Sequence, residues 1–141
     1  MKEICLKATI ENMKEVFDFI ETELAGTEGC SRADILKIHM MVDELFVNVA
    51  SYAYGEDEGD VTVGVDIDGD LAIISFTDSG VPYNPLNQAA PNVELATRDR
   101  KKGGLGVYMV RNTVDDIRYE YLDGKNILKI YKKVGAEARD K

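Results

Sequence analysis

The stretch Ser31–Tyr54, SRADILKIHMMVDELFVNVASYAY, predicts the longest helix of this chain. Ser31 is a residue type that caps helix N-termini, and Gly55 directly follows as a residue type that ends helices. Within the stretch, apolar residues recur at helical spacing and form a core-facing stripe: Ile35, Ile38, Val42, Leu45, Val49 and Ala53. The helix is therefore predicted to lie on the protein core along one face.

The flanking sequence predicts short strands, further helices and one long loop. A strand (residues 2–8) and a helix (residues 11–25) precede the stretch; after it come strands at 61–67 and 71–77, a helix at 105–113, and strands at 116–122 and 126–133. All three prolines lie in a polar segment at about 81–103, which is predicted to be a functional lid. This order favours an α/β (α+β) two-layer sandwich, with helices on one face of a mixed, mainly antiparallel sheet.

Composition limits the classes of function. A chain of 141 residues matches one domain, and its net charge of −9 disfavours nucleic-acid binding. Neither an apolar run long enough to span a membrane nor a secretory signal is present in the sequence. The two cysteines, Cys5 and Cys30, cannot form a disulfide framework. We therefore expect a single cytoplasmic domain, residues 1–141, without membrane contact.

The first group of residues suited to chemistry lies inside the long helix. Glu44 and Asn48 are four residues apart, so they project from the same helix face, one turn apart. The carboxylate of Glu44 could accept a proton, and the amide oxygen of Asn48 is a ligand type suited to Mg²⁺. An ordinary exposed helix face carries the same pattern, so this spacing alone is weak evidence.

The second group follows an apolar strand, in Thr77-Asp78-Ser79-Gly80-Val81-Pro82. A carboxylate at a strand end can accept a hydrogen bond from a ligand amine such as that of adenine. The adjacent Gly80 would let another group approach the backbone closely. The alternative is a simple turn after the strand, because Asp, Ser, Gly and Pro all favour turns.

The third group opens a helix, at Gly103-Gly104-Leu105-Gly106-Val107-Tyr108. Glycines at a helix start expose several N–H groups at the positive end of the helix dipole, which suits phosphate binding. The densest basic cluster of the chain lies just upstream: Arg98, Arg100, Lys101 and Lys102. A solvated loop with incidental lysines is the alternative interpretation.

Taken together and in this order, the three groups make the chain resemble the GHKL nucleotide-binding superfamily. Glu44 and Asn48 match its N box, and Gly104-x-Gly106 matches its second glycine box. The first glycine box is matched by Asp78-x-Gly80 with Pro82-Tyr83-Asn84-Pro85. The resemblance covers essentially the whole chain, and within the superfamily it is greatest to stand-alone bacterial anti-sigma-factor serine/threonine kinases. It implies the Bergerat-type ATP-binding fold, with ATP and Mg²⁺ as ligands.

The resemblance implies a role for each matching residue. Glu44 would be the general base, Asn48 the Mg²⁺ ligand and Asp78 the acceptor of the adenine amine. The other positions that would contact the nucleotide are Tyr52, Gly80, Lys101, Lys102, Gly104, Leu105, Gly106 and Asn126. Two positions depart from the anti-sigma kinases, which commonly have His where this chain has Tyr52 and often Asp where it has Asn84.

The implied function is phosphorylation of a small anti-sigma-antagonist protein, with partner switching to a sigma factor or similar client. The resemblance also implies a homodimer. Two alternatives stay open. The chain could be an ATP-gated protein-binding module without kinase activity, or the ATP-binding half of a histidine kinase acting in trans.

Overall fold

A computed structural model describes residues 1–27, 30–54, 59–87 and 104–135. The described helices and strands, in chain order, are β1 (Lys2–Lys7), α1 (Met13–Ala25), α2 (Arg32–Tyr52), β2 (Asp60–Asp68), β3 (Leu71–Asp78), α3 (Gly104–Thr113), β4 (Asp116–Leu122) and β5 (Lys125–Lys133). Two 3₁₀ turns, Ile10–Asn12 and Pro85–Asn87, complete them. The predicted order of elements is confirmed, with bounds that differ by one or two residues.

The strands form one sheet in the order β1-β2-β3-β5-β4, and all of its described pairings are antiparallel. The predicted two-layer α+β architecture is confirmed, and no parallel pair occurs within the described part of the sheet. The turn Asp123-Gly124 joins β4 to β5, with φ values of 53° and 78°. Two consecutive positive φ angles are those of a type I′ hairpin turn, which suits the twist of the flanking strands. β5 therefore folds back between β4 and β3.

The core lies between one face of the sheet and one stripe of α2. Five of the six residues of the predicted stripe are buried, namely Ile35, Ile38, Val42, Leu45 and Ala53. The sixth, Val49, is half-buried because it lines a cavity between α2 and the sheet. The stripe thus packs the first part of α2 on the core and leaves its last turns beside the cavity.

Both ends of α2 are held by specific contacts. Ser31 Oγ accepts from the Asp34 N–H at 3.1 Å, and Asp34 Oδ2 accepts from the Ser31 N–H at 2.9 Å, which forms a capping box. At the other end, the Val81 N–H donates to the Ala53 carbonyl at 2.8 Å. The helix ends at Tyr52, two residues before the predicted end, and the hydrogen bond from Val81 satisfies one of the carbonyls that a helix leaves free at its C-terminus.

The segment predicted to be the lid lies partly outside the described residues. Its start, residues 81–87, is described, whereas the basic cluster of Arg98, Arg100, Lys101 and Lys102 falls in the part that is not. In the described ranges, no helix has the length and apolar character needed to cross a bilayer.

Candidate functional site

A narrow cavity lies between the end of α2, strands β3 and β5, and the segment 81–87. It is lined by Leu45, Asn48, Val49, Ala53, Phe76, Asp78, Tyr83, Pro85, Tyr119, Asn126 and Leu128. The cavity volume is about 30 Å³, which is room for little more than water. A cavity of about 150 Å³ holds benzene, so this one must widen before a purine base can enter. Tyr83 and Pro85 are the lining residues that the segment 81–87 contributes.

Asp78 and Asn126 form the polar pair of this cavity, and both side chains are buried. They are paired residues of β3 and β5, and Asn126 Nδ2 donates to Asp78 Oδ1 at 2.9 Å. The Gly80 N–H donates to the same carboxylate oxygen, also at 2.9 Å. The structure therefore brings together three predicted site residues that come from two separate parts of the sequence.

The amide of Asn126 also holds the start of the lid segment. Its Nδ2 donates to the Val81 carbonyl at 2.8 Å, and its Oδ1 accepts from the Tyr83 N–H at 3.1 Å. The same Oδ1 accepts from the Tyr119 hydroxyl of β4. The sequence placed Tyr83 in the first glycine box without giving it a role, and it did not indicate Tyr119 as a site residue. The only sequence signal for Tyr119 was its place at an inward position of β4, and an inward tyrosine is common in any half-buried strand.

Gly80 lies directly against the end of α2. A β-carbon at this position would overlap the carbonyl group of Ala53, which is backbone and cannot swing aside. The Val81 N–H bonds that same carbonyl, so any displacement would also break this hydrogen bond. The glycine is required here by close approach of two backbone segments beneath the cavity.

We expect Gly80→Ala to destabilise the protein by about 1–3 kcal/mol, because the added methyl group must push two packed segments apart. The measurement is the free energy of unfolding in urea. Gly26→Ala is the matched control, since Gly26 has φ −79° and its β-carbon would meet only the Glu23 carbonyl oxygen, at 3.9 Å. That variant should gain about 0.4–1 kcal/mol. Equal effects at both positions would contradict the close-approach argument.

Glu44 and Asn48 lie on the face of α2 that meets the start of α3. A β-carbon at Gly106 would overlap Oε2 of Glu44, so the absence of a side chain there lets α3 approach the carboxylate. Burial raises the pKa of Glu44, and the neighbouring charge of Asp43 raises it further. One turn on, Asn48 is buried, and its Nδ2 has no hydrogen-bond partner among the described residues.

The unpaired atom of Asn48 is its amide nitrogen, a hydrogen-bond donor, so it suits an acceptor such as a phosphate oxygen. A metal ion would instead be bound by the amide oxygen. A buried polar atom without a partner costs about 1–3 kcal/mol, and such atoms call for an explanation when they occur. Asn48 also lines the cavity that holds Asp78. The described residues contain no cluster of three or more His, Cys, Asp or Glu side chains that could hold a metal ion. A Mg²⁺ ion at this place would therefore depend on Asn48 together with the oxygens of a bound phosphate.

The raised pKa of Glu44 predicts a pH-dependent difference in stability. Between the ordinary value of 4.5 and the raised value, the native state binds more protons than the unfolded state. The contribution of this carboxylate to stability is therefore lost as pH rises through that window. The neutral variant Glu44→Gln should gain stability relative to wild type across the same window. Urea unfolding from about pH 4 to about pH 8 measures this, and a constant difference would contradict it.

The remaining predicted site residues differ in position. Tyr52 is 38% exposed and does not line the cavity; its ring stacks on Tyr83, with centroids 5.2 Å apart. Gly104 opens α3 as predicted. Lys101 and Lys102 lie outside the described residues. The structure thus gathers Asn48, Asp78 and Asn126 at one cavity. Glu44 and Tyr52 lie outside its lining, Glu44 against Gly106 and Tyr52 against the lining residue Tyr83.

Comparison with known proteins agrees with this geometry. Residues 6–132 match the family described as the histidine kinase-like ATPase domain. The chain belongs to this family. The match runs from β1 to β5, so it includes every element that contributes a side chain to the cavity. Membership in the histidine kinase-like ATPase family confirms the resemblance to the GHKL superfamily and the fold class.

Individual relatives narrow the comparison within the family. The chain is 26% identical to the serine-protein kinase RsbW of Bacillus cereus over 109 residues, which is 74% of this chain and 68% of the relative. The RsbW of Bacillus mycoides is 25% identical over the same length. Both relatives carry the name of a serine-protein kinase, so this similarity supports the subfamily that the motifs indicated.

Solved structures support the fold. One contains the RsbU and RsbW domains of a Mycobacterium tuberculosis protein, with a TM-score of 0.61 and 18% identity. The aligned region is 96% of this chain but only 33% of the Mycobacterium tuberculosis chain. Another is the catalytic domain of the histidine kinase ThkA, with a TM-score of 0.55 and 14% identity, covering 95% of this chain and 98% of that one. At such identities the likeness concerns the fold alone.

Proposed function

We propose that this chain is an ATP- and Mg²⁺-dependent serine/threonine protein kinase of the anti-sigma type, which phosphorylates a small anti-sigma-antagonist protein. The observation that carries the proposal is the position of Glu44. Its partly desolvated carboxylate lies one helical turn from the unpartnered amide of Asn48 and directly against Gly106 at the start of α3. A proton acceptor, a metal ligand and a helix N-terminus thus meet on one face of α2.

The nucleotide would be held at three places. Asp78 would accept from the adenine amine, with Asn126 supporting the carboxylate and Gly80 allowing close approach. The backbone amides of Gly104, Leu105 and Gly106, at the positive end of the α3 dipole, would bind phosphate. Lys101 and Lys102, just upstream, would add positive charge there.

Asn48 would supply the protein's ligand to Mg²⁺, which neutralises phosphate charge when bound. Glu44 would accept the proton of the attacking serine or threonine hydroxyl. A carboxylate whose pKa is raised is a stronger base than an exposed one. In this structure burial against α3 is the main cause of that shift.

The proposal also covers the domain boundaries, the lid and the protein partners. Residues 1–141 would form one cytoplasmic ATP-binding domain, with a lid at about 81–103 that includes the segment now closing the cavity. The exposed ring of Tyr52 would pack against the nucleotide once Tyr83 has moved. The protein partners would be the antagonist, a sigma factor or similar client, and a second copy of this chain.

One observation favours a second candidate function, an ATP-gated binding module. The cavity of about 30 Å³ is too small for a purine base, so nucleotide binding must displace residues 81–87. Nucleotide occupancy would then change the surface that a partner meets, without any transfer of phosphate. In that case Glu44 would contribute little chemistry.

Incubation of the protein with Mg²⁺, γ-labelled ATP and candidate antagonists encoded by neighbouring genes separates the two functions. We expect labelled phosphoserine or phosphothreonine on one antagonist. Antagonist binding that requires ATP but leaves no phosphoprotein would support the binding module instead. Absence of any ATP binding, measured by titration calorimetry, would contradict both functions.

A further inference from the structure

We propose that Tyr119 is a positioning residue for adenine recognition: through the amide of Asn126, it orients the carboxylate of Asp78 so that one oxygen stays available to the base. The proposal rests on the proposed function, in which this cavity receives the adenine of ATP. It assigns a role to a residue of β4 that belongs to none of the three sequence motifs.

The hydrogen bonds leave only one orientation for the Asn126 amide. The Tyr83 N–H can only donate, so the amide oxygen must face it, 3.1 Å away. That same oxygen accepts from the Tyr119 hydroxyl. The amide nitrogen consequently faces Asp78 Oδ1 at 2.9 Å and the Val81 carbonyl at 2.8 Å. Both ends of the amide are therefore fully used.

The consequence for Asp78 is that its two oxygens differ. Oδ1 accepts from Asn126 Nδ2 and from the Gly80 N–H, each at 2.9 Å. Within the described ranges, no hydrogen bond to Oδ2 is formed. The carboxylate is buried and lines the cavity, so its second oxygen is the acceptor that a base amine would meet.

The lid segment and the sheet hold Asn126 from different sides. Tyr83 belongs to the segment that must move before a purine base can enter, so its hydrogen bond to Asn126 is lost or altered on binding. Tyr119 belongs to β4, which pairs along its whole length with β5. Once Tyr83 has moved, the Tyr119 hydroxyl is the donor on the rigid sheet that keeps the amide oxygen turned away from Asp78.

The chemistry of Tyr119 suits this role. Its ring is half-buried and lines the cavity. Burial raises the pKa of Tyr119, so its hydroxyl remains a protonated donor throughout the neutral range. Without that donor the amide oxygen of Asn126 would lose its partner on the sheet, and the amide would hold the carboxylate of Asp78 less firmly.

The test compares ATP with purine riboside 5′-triphosphate, which lacks the 6-amino group, by titration calorimetry on the full chain. Wild type should favour ATP by about 10- to 100-fold, because a site built to hydrogen-bond a group rejects the analogue without it. Tyr119→Phe should reduce that ratio by about 5- to 10-fold and leave the affinity for the analogue within about twofold. Tyr121→Phe, on the same strand with an exposed ring, is the matched control and should keep the wild-type ratio.

A purely structural hydroxyl would weaken both nucleotides by the same factor, and that result would overturn the proposal. Asn126→Ala provides a second variant, which should lower the ratio of the affinities for ATP and the analogue. An unchanged ratio in this variant would also overturn the proposal. In the Asn126→Ala background, Tyr119→Phe should change the ratio no further, since its effect passes through Asn126. Failure of wild type to bind either nucleotide would instead contradict the proposed ATP site itself.

Discussion

Replacement of Glu44 by glutamine is expected to reduce phosphate transfer to the antagonist by about 10²- to 10⁴-fold, the usual contribution of a general base. Glutamine keeps the shape of the side chain against Gly106 but cannot accept a proton at neutral pH. The affinity for ATP should stay within about threefold of wild type, because Glu44 acts on the incoming hydroxyl. Single-turnover transfer of labelled phosphate measures the first quantity and titration calorimetry the second.

Asp43→Asn is the matched control for this variant. Asp43 precedes Glu44 on the same helix, is exposed, and carries the same charge. Its removal should leave the transfer rate within about twofold at neutral pH. Because the charge of Asp43 raises the pKa of Glu44, the acidic limb of the pH–rate profile should move to lower pH in this variant. Wild-type transfer rates in Glu44→Gln would contradict the role of Glu44 as the general base.

The second large effect is expected on nucleotide affinity. Asp78→Asn should weaken ATP binding by about 10- to 100-fold, which corresponds to the loss of one hydrogen bond to a buried charged group. The substituted amide also faces a donor, Asn126 Nδ2, and cannot satisfy that donor and a base amine with one oxygen. Titration calorimetry with ATP gives the affinity, and a thermal melt monitored by circular dichroism establishes that the variant is folded.

Asp60→Asn offers the corresponding control, at the first residue of the neighbouring strand β2. The residue is exposed, and no hydrogen bond of its side chain occurs among the described residues; its backbone carbonyl accepts from the Tyr54 hydroxyl at 2.5 Å. The affinity of the Asp60→Asn variant for ATP should equal that of wild type. A folded Asp78→Asn protein that binds ATP as tightly as wild type would show that adenine is recognised elsewhere.

Local sequence signals predicted most of the fold correctly. The Ser31 cap and the apolar stripe of α2 act within one helix. Each of these signals relates residues a few positions apart, so it can be recognised in the chain before any long-range contact is known. For the same reason Glu44 and Asn48 could be placed on one helix face.

The contacts around Asn126 could not be predicted in this way. Asn126 meets Asp78 because β5 lies beside β3, with β4 displaced to the edge of the sheet. A shift of one residue in that register would turn the amide to the opposite face of the sheet. The hydrogen bond from Val81 to Ala53 at the end of α2 is of the same kind, since it joins residues far apart in the chain.

The sequence by itself therefore determined the long helix, its polar pair and the hairpin strands, because period, caps and turns are local properties of the chain. Only the tertiary structure decided which residues face one another across the cavity. The helix carries Glu44 and Asn48 whatever it packs on. The contact of Gly106 with Glu44 forms only in the folded structure. The hydrogen bonds that join Asp78, Asn126 and Tyr119 form only once strands distant in sequence are paired in register.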